Sequence, residues 1–284
     1  LMIIVYIAGG LGDQMSRYAL GRYLNKLNNI ELLLDNSFYS SKDNYAESDT
    51  RSFGLNNFNI TAALATKKQI DHLKTNRYSL RFGCRKSSHL SSGSLADLVN
   101  RSVTSDLYID TRCGSYRDWS AVRAELLAEF ALKQALPVPS KLQDYLKSGS
   151  IVGLHCRRGD KANNPAVNKI HGVCSVDYYQ EALALLETRL GDFKLLIFSD
   201  DPDWVKGNLS FKQDYQFAND YQLSDAQELT LLSQCQHQIT ANSAFSHWAA
   251  WLNTNPDKII IAPRQLTAQA SIESDELPAT WLRL

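Results

Sequence analysis

Apolar and polar residues alternate along this chain in two rhythms. Residues 2–7 form an uninterrupted apolar, β-branched run, stopped by Ala8 and the glycines Gly9, Gly10 and Gly12. That is the pattern of a buried strand followed by a tight turn. Asp13 stands where a helix cap belongs, and Met15, Ala19, Tyr23 and Leu27 repeat at helical spacing. Residues 30–35 restore a strand, so the first segment predicts a βαβ unit and with it a parallel sheet. Beyond it the pattern weakens. Ser/Asn-rich stretches at 36–59 and 87–105 predict long loops, where binding specificity is commonly built. Helical spacing returns at 121–132, is broken by Pro137 and Pro139, and resumes in a short helix at 141–146.

The second half is more regular. Strands are predicted at 151–155, 194–198, 215–217, 238–240 and 258–262, with helices at 176–190, 224–236 and 243–252 between them. Strict alternation of this kind is the signature of a doubly wound α/β domain. The chain therefore reads as two such domains, 1–145 and 146–284, joined across the proline-marked stretch 137–150.

Composition narrows the classes. With 44% apolar and 21% charged residues over 284 positions, the chain is an ordinary packed globular protein rather than collagen-like, coiled-coil or low-complexity. Thirty basic against thirty acidic residues give no net charge, which argues against a nucleic-acid partner. The balance conceals a gradient: residues 1–149 hold 19 Lys+Arg and 14 Asp+Glu, residues 150–284 hold 11 and 16. Five cysteines without CxxC spacing predict neither a disulfide framework nor a zinc site, and a reducing cytoplasm is the expected setting. The first apolar run, 2–8, falls far short of the roughly 20 residues that span a bilayer, and no cationic leader precedes it.

Ligands of open parallel sheets bind beyond the carboxyl ends of strands, so the residues following each predicted strand carry the chemistry. After 151–155 comes Cys156-Arg157-Arg158-Gly159-Asp160, with His155 just inside the strand. Two adjacent guanidiniums beside a glycine suit a diphosphate; a solvated turn with an Arg158–Asp160 pair is the plain alternative. After 194–198 comes Ser199-Asp200-Asp201-Pro202-Asp203-Trp204. Asp200 there suits a guanine edge or a ribose, while Asp201-x-Asp203 reads either as a metal-binding pair or as the start of a helix. After 238–240 comes Asn242-Ser243-Ala244-Phe245-Ser246-His247-Trp248. Small hydroxyls at a helix start can hold a phosphate without metal, and capping with core packing is the alternative. The Gly9-Gly10-x-Gly12 turn lacks the third glycine of a dinucleotide fingerprint, although Asp35 stands where a ribose-binding acid would, which keeps an oxidoreductase reading open.

Taken in order, Gly9-Gly10-Leu11-Gly12-Asp13-Gln14-Met15, His155 to Asp160, Phe198 to Asp201 and Asn242 to Ser246 with Trp248 and Trp251 resemble the bacterial α-1,2-fucosyltransferases of glycosyltransferase family 11. The resemblance implies a GT-B fold, in which two Rossmann-like domains face a cleft. It further implies inverting, metal-independent transfer from GDP-L-fucose to a galactose-terminated glycan, with no cofactor. On that resemblance His155 and Asp200 are guanosine contacts, Arg157 and Arg158 clamp the β-phosphate, and Ser243, Phe245 and Ser246 form the phosphate-binding helix start. Gly10 and Gly12 complete the donor contacts. Asp160 and Asp13 are the carboxylates for the catalytic base, Asp160 preferred and able instead to orient Arg158. Asp13 stands where Asn is usual in the family and His247 where Trp is usual. A non-catalytic nucleotide- or glycan-binding protein is the other reading.

Between 64 and 90 the chain places Lys67, Lys68, Lys74, Arg77, Arg81, Arg85 and Lys86 against the single acid Asp71, interleaved with Ile70, Leu73, Leu80 and Phe82. Residues 67–86 thus read as a surface for an anionic membrane, where a lipid-linked acceptor would be presented at the inner membrane, or as a solvated basic face.

Overall fold

A computed structural model of the chain describes residues 1–41, 50–75, 89–90, 105–110, 115–116, 118–268 and 277–284. They form two compact units, Leu1–Ala131 and Leu132–Leu284.

In the first unit, strand β1 (Met2–Tyr6) leads into helix α1 (Leu11–Asn28) and strand β2 (Glu31–Asp35). Strand β3 (Ala63–Leu64), helix α2 (Lys67–Thr75), strands β4 (His89–Leu90) and β5 (Leu107–Ile109) and helix α3 (Arg123–Glu129) follow. The strands pair in parallel in the order β3-β2-β1-β5-β4. Helix α1 starts at Leu11 with Gly10 at its cap, earlier than Asp13. Gly9 turns the chain through a φ of +79°, and the N–H groups of Asp13 and Gln14 already donate to the Gly10 carbonyl. Asp13 therefore lies in the first turn, where the helix dipole favours an acid. Gly21 lets α1 lie close on the sheet, since a Cβ there would come within 2.7 Å of the Leu32 side chain. Helix α1 is fixed to α3 by buried Glu129, which accepts from the Tyr18 hydroxyl at 2.9 Å, the Thr61 hydroxyl at 2.7 Å and the Arg22 guanidinium at 2.9 Å.

The second unit opens with helix α4 (Ser140–Lys147), so the division between units falls before this helix rather than at 145/146. The Tyr145 hydroxyl shows why, donating to the carbonyls of Leu195 and Asp214 in the second sheet, each at 2.9 Å. Then come strand β6 (Ile151–Cys156), short helices α5 (Gly159–Asn163) and α6 (Pro165–His171), helix α7 (Val176–Leu190) and strand β7 (Lys194–Ser199). Helix α8 (Pro202–Asn208), strand β8 (Tyr215–Phe217), helix α9 (Asp225–Gln234), strand β9 (His237–Ile239), helix α10 (Ala244–Leu252) and strands β10 (Ile260–Ala262) and β11 (Leu282–Arg283) complete it. The order β11-β10-β9-β6-β7-β8, parallel throughout, winds outward in both directions from a reversal between β6 and β9. A crevice at such a reversal is where a nucleotide binds. Every residue of β6 is buried, as a strand covered on both faces requires. Its core neighbours include Tyr179 and Leu183 of α7, Leu195 and Ile197 of β7, and Ile239 of β9.

Candidate functional site

Of the sequence-predicted site residues, His155, Arg157, Arg158, Asp200, Ser243, Phe245 and Ser246 lie in the second unit, at or just beyond the ends of β6, β7 and β9. Gly10, Gly12 and Asp13 lie in the first, after β1. Asp160 lies in α5, where only its backbone is described.

The turn after β6 is folded around Asp200. The Asp200 carboxylate accepts from the Arg157 guanidinium at 2.9 Å and from the Arg158 backbone N–H at 2.8 Å. Gly159, at φ +28°, approaches so closely that a Cβ would sit 2.3 Å from the same carboxylate. Glycine is needed here for both space and backbone conformation.

The neighbouring acid does different work. Asp201 accepts from the Trp204 N–H at 3.1 Å and caps α8, with Pro202 in the first turn. Asp203 is almost wholly exposed and reaches toward Lys206 one turn along its own helix. Asp201-x-Asp203 is a helix start. The cap presents the Trp204 ring to Arg158, whose guanidinium carbon lies 3.8 Å from the ring centroid. Stacking engages the face of the guanidinium and leaves its edge to recognise an anion. Sequence reasoning did not single out Trp204; its place three residues after a capping Asp, beside an Arg pair, was the signal.

Across the sheet reversal, the His155 ring stacks on Phe245 with centroids 5.3 Å apart and planes 30° apart. Ser243 caps α10 by position but makes no side-chain cap bond, so its hydroxyl stands at the start of the helix beside the free N–H groups of the first turn. Ser246 does not share that role. It is buried, its hydroxyl donating to the Ser243 carbonyl and accepting from the Ala241 N–H, both at 3.2 Å. It pins the turn from inside. Asn242, also buried, donates to the carbonyls of His171 and Gly172 and ties the turn to the end of α6. His247 is buried near Trp281, ring centroids 6.2 Å apart, and so lies in the core. Cys156 is buried as well, and burial pushes its thiol up to about 11, a core residue rather than a nucleophile.

In the first unit, buried Gln14 holds the glycine turn. Its amide donates to the carbonyls of Gly9 (3.1 Å) and Ser52 (2.8 Å) and accepts from the Gly54 N–H (2.8 Å). The Asp13 side chain folds back over Gly9, where a Cβ would lie 2.9 Å from its carboxylate. Gly10 faces open space, so a side chain there is not excluded by the protein itself. Asp35 is not placed as a ribose ligand. Its carboxylate is inaccessible and accepts from Tyr108, Lys74 and the Ser37 N–H. That contact pairs the charge of Lys74, part of the basic stretch read at 67–86, with a buried acid; Lys67 and Lys68 are exposed, and 76–86 lie outside the described residues. Among the described residues no group of three or more His, Cys, Asp or Glu is arranged to hold a metal ion, and no helix is long and apolar enough to cross a membrane.

The profile of Glycosyl transferase family 11 matches residues 139–283. The chain is 32% identical to the O-antigen biosynthesis glycosyltransferase WbnK of Escherichia coli, covering 98% of this chain and 99% of that protein. It is 28% identical to an alpha-1,2-colitosyltransferase of Escherichia coli, covering 100% and 99%. Against galactoside alpha-(1,2)-fucosyltransferase 2 of Gorilla gorilla gorilla the identity is 32% over 52% of this chain and 45% of that one. Among solved structures, the NodZ alpha-1,6-fucosyltransferase soaked with GDP-fucose superposes with a TM-score of 0.53 at 16% identity, covering 88% of this chain and 92% of that one. A point mutant of Arabidopsis thaliana FUT1 in complex with GDP gives 0.51 at 13%, covering 92% and 70%. Those structures establish the fold as GT-B. With a relative 32% identical from end to end and the family profile running across the sheet that carries Arg157, Arg158 and Ser243, the chain belongs to glycosyltransferase family 11.

Proposed function

We propose that this glycosyltransferase moves L-fucose from GDP-L-fucose to a hydroxyl, O2, of a terminal galactoside, with inversion and without a metal ion. The observation that carries the reading is the Arg157–Arg158 turn at the carboxyl end of β6, held on Asp200 and Trp204. Breaking the sugar–phosphate bond leaves GDP with an additional negative charge. Guanidiniums fixed in advance lower the barrier by meeting a charge that grows only in the transition state. The Ser243 hydroxyl and the N-terminus of α10 supply a second anion contact, and the stacked His155–Phe245 pair a flat surface for the base. Inverting transfer also needs a base to take the acceptor proton on the face opposite GDP. Asp160 is assigned that role, with Asp13 the second carboxylate. The acceptor is a galactose-terminated glycan, lipid-linked at the cytoplasmic face of the inner membrane.

A colitosyl donor is the second reading, supported by the full-length relative named for that transfer. One assay separates the readings: GDP release by purified protein from GDP-fucose or the colitosyl nucleotide, against a panel of terminal galactosides, with and without EDTA. Fucose transfer unaffected by chelator is expected. Transfer abolished by EDTA sinks the metal-free mechanism, preference for the colitosyl donor moves the assignment to the second reading, and no release with either donor leaves a nucleotide-binding protein.

A further inference from the structure

Strands β6 and β9 lead to the two turns assigned to the diphosphate, yet the ladder between them stops short of both. Its last pair is Leu154 with Ile239. Beyond it β6 runs on through His155 and Cys156 to the arginine turn, and β9 is followed by Thr240, Ala241 and Asn242 before Ser243 and the start of α10. The spacing between the arginine turn and the helix start is therefore left to side chains. One contact is the His155–Phe245 stack. Another is made by Asn242, only 7% exposed, whose amide nitrogen donates to the His171 carbonyl at 2.9 Å and the Gly172 carbonyl at 3.1 Å. Its amide oxygen accepts from the Cys174 thiol at 3.8 Å.

The carbonyls that Asn242 holds end a segment that starts at the arginines. Helix α5 grows out of the arginine turn, the Ala162 N–H donating to the Arg158 carbonyl at 2.9 Å. Helix α6 follows and buries none of its residues. Its shape comes from its own ends: Asn164 accepts from the N–H groups of Ala166 and Val167, and the Gly172 N–H returns to the Asn168 carbonyl. From outside, the Ala268 N–H bonds the Ile170 carbonyl, and Asn242 bonds the two carbonyls that follow. Gly172 makes that turn at φ +65° and ψ 179°, a conformation kept almost wholly to glycine, and a Cβ there would lie 3.3 Å from the Ala268 Cβ. A continuous path thus runs from Arg158 through α5 and α6 to Asn242 and, one residue on, to Ser243. We infer that Asn242 is a positioning residue for the transfer reaction: by clamping the far end of α6 it fixes where the start of α10 stands relative to the arginine turn, so that both meet one diphosphate. It acts through Ser243 and the arginines rather than on the ligand. The inference rests on the reading of these two turns as the diphosphate site of a sugar nucleotide.

The test breaks the clamp from both sides in the whole chain. Asn242→Ala removes the amide, and Gly172→Ala displaces the carbonyls it bonds without touching the turn before α10. Affinities for GDP and inorganic pyrophosphate are measured by calorimetry and for guanosine, which has no phosphate, by ligand-observed NMR. Each variant is expected to bind GDP and pyrophosphate about tenfold more weakly and guanosine within about twofold of the native chain. The double variant is expected to lose no more than about twofold beyond the weaker single one, since either change opens the same clamp. A guanosine loss equal to the pyrophosphate loss overturns the inference, because the damage is then general. Unchanged pyrophosphate affinity in both single variants overturns it as well, as do losses that multiply in the double variant. If urea unfolding shows that Asn242→Ala does not fold, Gly172→Ala, which removes no buried group, decides by the same ligand comparison. A native chain that binds neither GDP nor pyrophosphate refutes the donor reading and the clamp together, whereas native binding with unselective losses refutes the clamp alone.

Discussion

Asp200 was expected to read a guanine edge, yet both of its oxygens are committed to the arginine turn. The two roles predict different responses to Asp200→Asn. The amide keeps an oxygen for the Arg158 N–H and loses the charge that holds Arg157. A charge-assisted hydrogen bond contributes about 1.5–3 kcal/mol when well buried. Here Arg157 and Asp200 retain 21% and 26% of their side-chain surface, so solvent screening brings the pair to about 1 kcal/mol. Asp200→Ala also frees the Arg158 N–H and raises the loss to about 2–3 kcal/mol. In affinity these are about fivefold and about 30- to 150-fold, at 1.4 kcal/mol per factor of ten. If Asp200 acts by positioning the arginines, the losses are the same for GDP and for inorganic pyrophosphate, which has no base. Calorimetric titration of both ligands against both variants checks this. A loss confined to GDP, with pyrophosphate binding intact, refutes the positioning role and restores the guanine contact.

Trp204→Leu removes the platform under Arg158, and a partly exposed cation–π contact of about 1 kcal/mol corresponds to about a fivefold loss of GDP affinity without loss of folding, read by the same titration. Glu228, in the first turn of α9, has a carboxyl that burial, with Asp225 nearby, pushes up from 4.5 to about 7. The folded state therefore holds a proton that the unfolded chain releases between those values, and stability falls as pH rises across that window. Glu228→Gln is expected to match the native chain near pH 4 and to exceed it by up to about 3 kcal/mol at pH 8, at 1.36 kcal/mol per pH unit; a difference in urea midpoint that does not vary with pH contradicts it. Glu129→Ala strips the buried acceptor from Arg22, Tyr18 and Thr61 and is expected to destabilise the first unit by about 3–5 kcal/mol, measured by chemical unfolding. Restored stability in Glu129→Ala combined with Arg22→Met is the expected companion result.

The second unit was the more legible half because strands and helices alternate strictly along it and its two six-residue strands, β6 and β7, are almost wholly buried. The reading of 176–190 as a helix coincides with Val176–Leu190, where Ser175 caps one end and Gly191 stops the other. The two-residue strands Ala63–Leu64, His89–Leu90 and Leu282–Arg283 are too short to show an alternating period and went unread. Helix α2 was seen only as a basic stretch, since its one deeply buried apolar position, Leu73, gives no stripe. The motif residues were legible as a set, but not in their separate duties. Ser243 and Ser246 look alike in sequence; only packing shows one hydroxyl at the helix start and the other spent inside the turn. Lys74 looked like surface charge until tertiary contact set it on Asp35.

The charge gradient gains a physical sense from these pairings. An isolated Arg157–Arg158 pair in an otherwise acidic half would be drawn to any nearby carboxylate, in a geometry set by chance. Here the carboxylates are built in: Asp200 holds Arg157 through the charge and Arg158 through the backbone, and Asp201 caps the helix that carries the Trp204 platform. Both guanidiniums are thus oriented before nucleotide arrives, at the cost of an acidic surround that weakens ground-state binding of a dianion. Both effects grow with the charge on the departing phosphate, and the guanidiniums prevail because they are the nearer charges. Neutralising the surround should therefore tighten GDP binding at remote positions such as Asp203, which touches neither arginine, and loosen it at Asp200, so the sign of the change separates field from positioning.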